Sequence, residues 1–103
     1  MDRAAGPRES AIVAGIVKMA RKRGYWVLKV AGGAYQRPGL PDLVAIKGGV
    51  ATWLEVKRPG CKVTPRQLAV IEELMGAGCF TCVTTSVADA EDFLSDVEIA
   101  RGL

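Results

Sequence analysis

Residues 38–59 read PGLPDLVAIKGGVATWLEVKRP. Two apolar runs flank Gly48-Gly49, a two-residue signal for a tight β-hairpin turn. With Lys47 paired to Val50, counting outward sets Ile46 against Ala51, Val44 against Trp53 and Asp42 against Glu55. Residues directly opposite share a face, with Cβ atoms about 4.5–5.5 Å apart. Lys57 lies two residues past Glu55, so the pleat puts it on that face too. A register slip of two residues keeps all three together, and a slip of one separates them.

Two carboxylates facing each other repel, and this pair ends an otherwise apolar hairpin. A divalent cation held by both would remove the repulsion. Oxygen-only donors suit the hard ions Mg²⁺, Mn²⁺ and Ca²⁺. A cation there activates water and stabilises charge on a phosphate, with Lys57 as a point charge beside it.

An isolated Glu-x-Lys has a plainer explanation, a solvated pair on an edge strand with Asp42 ending a turn. The ordered set is more specific: Gly39-Leu40-Pro41-Asp42, a strand, Gly48-Gly49, a second strand, then Glu55-Val56-Lys57. From about Glu9 to Leu94 the chain resembles the PD-(D/E)XK nuclease superfamily. Within it, the likeness is to the VRR-NUC (virus-type replication-repair nuclease) family. The resemblance implies that Asp42 and Glu55 ligate Mg²⁺ or Mn²⁺, that the Val56 carbonyl adds a ligand, and that Lys57 is catalytic. It also implies a glutamate on the first helix, here Glu9, acting at the metal site. Many relatives carry a glutamine four residues later, where this chain has Val13.

At 103 residues the chain is expected to be one domain, with residues 1–6 a loose tail. Half of it is hydrophobic, which argues against disorder. No apolar run is long enough to span a membrane, and the N-terminus lacks a signal-peptide pattern. These point to a soluble intracellular protein, and the family likeness extends that to a viral or phage origin. Cys61, Cys79 and Cys82 without any histidine make a four-ligand zinc site improbable.

The net charge of +3 is unevenly spread. Residues 1–66 carry thirteen Lys/Arg and four Asp/Glu, and residues 67–103 carry one and seven. The basic part suits a polyanion, although any single cation there is equally a solvated surface group.

Along the chain, Gly6-Pro7 opens a helix to about Arg23, with Ile12, Val13, Ile16, Val17 and Ala20 inward. Glu9 continues that stripe, and it also suits the positive helix N-terminus. Lys18, Arg21, Lys22 and Arg23 favour the helix end and offer phosphate contacts. Residues 25–30 read as a strand, and residues 31–39 as a loop into the site. In that loop Tyr35 can stack on a base and Arg37 can pair with phosphate. Arg58 and Lys62 follow the hairpin as further nucleic-acid contacts.

Thr64-Pro65-Arg66-Gln67 spells a capping box, which accounts for Gln67 structurally. The resemblance implies a second role for Gln67 beside the catalytic lysine, and the two readings are compatible. Leu68, Ile71, Leu74 and Met75 are expected to form the buried face of that helix. A strand over 79–84 and a helix begun by Ser86-x-x-Asp89 complete the chain. The acidic surface of that last helix should face away from DNA.

The element order αβββαβα predicts an α/β fold, a mixed sheet flanked by helices. The resemblance implies the same restriction-endonuclease-like core. The expected function is a metal-dependent DNA endonuclease, a homodimer cutting branched DNA such as Holliday junctions, as DNA repair requires. The alternatives are a nuclease domain that needs a partner and a DNA-binding module that does not cleave.

Overall fold

The computed structural model describes residues 6–30 and 37–103. The expected tail, but for Gly6, and the loop residue Tyr35 lie outside the described residues.

The elements are α1 (Glu9–Lys22), β1 (Trp26–Lys29), β2 (Leu43–Lys47), β3 (Val50–Val56), α2 (Pro65–Gly76), β4 (Phe80–Thr84) and α3 (Val87–Arg101). The order is the expected αβββαβα. The sheet runs β1-β2-β3-β4; the first two pairings are antiparallel and β3–β4 is parallel. The parallel pair needs a crossover, and α2 supplies it.

The hairpin has the counted register: Lys47 opposite Val50, Ile46 opposite Ala51, Val44 opposite Trp53. Gly48 and Gly49 both have positive φ, 57° and 78°. Two successive left-handed residues match the right-handed twist of the flanking strands, and glycine adopts them without steric cost.

One sheet face carries Val27, Leu43, Ala45, Leu54, Val56 and Cys82. Against it pack Ile12, Val13, Ile16 and Ala20 of α1 and Ala90 and Leu94 of α3. The spacing of those helix residues makes one stripe on each helix, which is why both settle on the same face. α1 starts two residues later than Pro7 predicts, with Arg8 as its N-cap and no side-chain cap bond.

The inward face of α2 differs from the expected one. Val70 and Ile71 are buried, while Leu68 and Met75 are exposed. Helical periodicity defines a stripe, but the position of the sheet beneath α2 selects which edge of it is covered.

Candidate active site

The site lies where the hairpin ladder ends. The last β2–β3 pair is Leu43 with Leu54, so Asp42 and Glu55 stand one step beyond it, on one face. Buried Pro41, a residue without a backbone N–H, precedes Asp42. The Asp42 carboxylate takes up the Val56 N–H beyond the end of the ladder: its Oδ2 accepts that N–H at 2.7 Å. The Asp42 carbonyl accepts from Val30 N at 2.8 Å. One residue therefore ties three strands together at the sheet end.

Glu55 is 2% exposed. Its Oε2 lies 3.5 Å from Lys57 Nζ and accepts from Gln67 Nε2 at 3.4 Å. Lys57 is held by its own N–H, which donates to Thr84 O at 2.9 Å and prolongs the β3–β4 pairing. Burial pushes the Glu55 carboxyl up to about 7, and the adjacent Asp42 charge adds to the rise while Lys57 opposes it.

Gln67 arrives by way of the capping box. Its backbone N–H donates to Thr64 Oγ1 at 3.1 Å, and Thr64 N donates back to its Oε1 at 2.9 Å. The remaining amide nitrogen faces Glu55. Thus capping and contact with the carboxylate occur together.

The donor set fits a hard divalent cation. Two carboxylates share one face, and burial makes one of them hard to ionise even with Lys57 Nζ 3.5 Å away, so a bound cation would stabilise its charged form. Val56, whose carbonyl is the third implied oxygen, lies between Glu55 and Lys57. Glu9 stands half-buried in the first turn of α1. Among the described residues no three His, Cys, Asp or Glu side chains gather as a metal group, so Glu9 is not drawn to the pair. All three cysteines are free thiols, and burial pushes that of Cys82 up to about 11.

Of the expected nucleic-acid contacts, Arg37 is exposed and paired with Glu73, Nη2 to Oε1 at 2.6 Å. Arg58 is half-buried after β3, and Lys62 is exposed in the segment leading to α2. The sequence does not pair Arg37 with Glu73, because 36 residues separate them. Nor does it single out Arg66, which lines a cleft with Arg37 and Glu73. The signal for Arg66 was its place beside Gln67 in the first turn of α2.

No family model matches the chain, and neither does any curated protein. Among solved structures, one titled "VRR_NUC domain" matches with TM-score 0.75 at 24% identity, over 87% of this chain and 97% of that one. Another, titled "VRR_NUC domain protein", matches with TM-score 0.76 at 15% identity, over 89% and 88%. Identities this low speak for the fold. Among the described residues no helix is long and apolar enough to cross a membrane. In its αβββαβα order and four-stranded mixed sheet, this chain has the fold of a VRR-NUC domain.

Proposed function

We propose that the chain is a single-domain, divalent-metal-dependent nuclease that hydrolyses phosphodiester bonds in DNA. The observation that carries this is the buried Glu55 carboxylate set beside Asp42 and Lys57, at the sheet end of a fold shared with VRR_NUC structures. Such an enzyme works inside a cell; for a viral or phage chain, in the host cytoplasm.

Asp42 and Glu55, with the Val56 carbonyl, would hold Mg²⁺ or Mn²⁺. When bound, the cation supplies charge neutralisation for the phosphate and lowers the pKa of water. Glu9, at the start of α1 and apart from the pair, would assist through a water or a second ion. Lys57, its ammonium kept beside Glu55, orients the attacking water and offsets the negative charge that grows on the phosphate. Gln67 steadies the Glu55 carboxylate from α2. Tyr35, Arg37, Arg58 and Lys62 contact the nucleic acid.

The test is cleavage of labelled four-way junction, flap, duplex and single strand, in Mg²⁺, in Mn²⁺ and in chelator. Asp42→Asn and Lys57→Ala should abolish cleavage and leave circular dichroism unchanged. Wild-type cleavage by either variant refutes the assignment. Tight binding without cleavage in every metal would make the chain a binding module or a partner-dependent domain.

The preferred substrate is branched DNA, cut by a homodimer whose two symmetric sites make paired incisions. What supports a second copy is the edge strand β1, where Trp26 and Leu28 stand 59% and 48% exposed on one face. Sedimentation of the junction complex should give two chains per junction. One chain per junction removes the dimer from the proposal.

A further inference from the structure

Residues 37 and 38, shortly before Asp42, and the helix α2 line an open cleft of about 350 Å³, formed by Arg37, Pro38, Arg66, Ala69, Val70 and Glu73. Its walls are anchored to the site from both sides. Arg66 directly precedes Gln67, whose amide reaches Glu55. Gly39, three residues before Asp42, is seated directly on α2. A Cβ added there would stand 2.9 Å from Arg66 Cγ, 3.0 Å from Arg66 O and 3.1 Å from Val70 Cγ2. Within the cleft the Arg37 guanidinium holds the Glu73 carboxylate at 2.6 Å.

We propose that this cleft binds a backbone phosphate of the substrate strand next to the scissile one, and that Glu73 occupies the phosphate's place until the strand arrives. This rests on the nuclease function proposed above. A guanidinium fork recognises carboxylate and phosphate by the same geometry, so a carboxylate on Arg37 is a stand-in for a phosphate oxygen. Two arginines against one glutamate leave a net positive lining, which favours an incoming anion. Both partners of the pair are 57% exposed. An exposed ion pair contributes little, so a phosphate also reached by Arg66 displaces Glu73 readily. Glu73 thereby sets the affinity for the strand, and Arg37 and Arg66 hold it.

The test is equilibrium binding of labelled junction and duplex DNA in chelator and in the Lys57→Ala background, so that nothing is cut. Glu73→Gln should tighten binding about two- to five-fold at low salt, the range of an exposed ion pair. The gain should vanish when Arg37→Ala is added. Arg66→Ala should weaken binding with or without Glu73→Gln. Glu72→Gln removes the same charge from the neighbouring position of α2 and serves as control. An equal gain from Glu72→Gln, or a gain that persists without Arg37, overturns the stand-in role. So does unchanged binding in Glu73→Gln, while metal-dependent cleavage by the wild type would leave the nuclease assignment standing. Absence of binding to any DNA overturns the cleft proposal, and the nuclease assignment falls with it only if the wild type also fails to cleave in Mg²⁺ and in Mn²⁺.

Discussion

Glu55 shows how a single residue joins folding to chemistry. Its carboxyl is held at about 7, against an ordinary value of 4.5, by burial and by Asp42. The folded metal-free protein therefore binds a proton more tightly than the unfolded chain does. Stability falls as pH rises from about 4.5 to about 7, because the unfolded chain gives up the proton first. At about 1.36 kcal/mol per pKa unit the loss is roughly 2–4 kcal/mol. Urea denaturation in chelator should show this slope in the wild type and a flatter one in Glu55→Gln. Matching profiles would mean that Glu55 ionises normally. A cation needs the ionised carboxylate, so metal affinity should rise through the same window, with a proton released on binding. Glu55, Asp42 and Lys57 were legible together because hairpin register is simple counting from Gly48-Gly49. The rise in the Glu55 pKa was not, since it depends on what covers the carboxyl.

At the scale of elements, the start of α2 and the loop over it form the second wall of the site. Thr64→Ala removes an N-cap and should cost about 1 kcal/mol of stability with cleavage largely kept. Gln67→Ala also removes the contact to Glu55, so it should cost similar stability and lower the cleavage rate as well. Thermal melts beside rate measurements separate the two; equal rates in both variants would restrict Gln67 to capping. Gly39→Ala meets two obstacles, φ of +86° and the Arg66 carbonyl at 3.0 Å. The left-handed backbone alone costs roughly 1–2 kcal/mol. Both melting temperature and cleavage should drop, because the loop leads directly into Asp42. The capping box was legible because it is contained in four consecutive residues. The covered edge of α2 was not: Leu68 and Met75 belong to the same apolar stripe as Ile71, and only the sheet position leaves them exposed.

Across the whole molecule, the far end of the sheet is closed by a polar clasp. Arg23 Nη2 donates to Glu98 Oε1 at 2.8 Å and to Ser95 Oγ at 3.1 Å, and Nη1 donates to Glu91 Oε2 at 3.1 Å. Tyr25 donates to Glu98 Oε2 at 2.8 Å, and Lys47 approaches that oxygen at 3.6 Å. The clasp joins α1, β1, the hairpin turn and α3. Five residue steps separate Lys47 from Asp42, about 16 Å at strand rise. Glu98→Ala should therefore lower stability by about 2–3 kcal/mol, the size of hydrogen bonds to a charged group. Cleavage per folded molecule should be unchanged; a lower rate would show that the clasp reaches the site. Although burial opposes it, hydrogen bonds from Tyr25 and Arg23 hold the Glu98 carboxyl below its usual range. Its stabilisation is present above about pH 4.5 and is lost as pH falls below that, opposite in sign to Glu55. The acids of α3 looked like plain solvated surface in the sequence, yet two of them, Glu91 and Glu98, are committed to Arg23.

By itself the sequence determined the elements, their order, the hairpin register and the carboxylate–lysine cluster. Each depends on neighbours in the chain: alternation along a strand, two glycines at a turn, a capping box within four residues. Only the tertiary structure decided the burial of Glu55, the reach of Gln67 across to it, the pairing of Arg37 with Glu73 and the clasp on Glu98. Those contacts join residues from 12 to 75 positions apart. No local pattern encodes them, because they exist only once α2 lies over the sheet end and α3 lies beside α1.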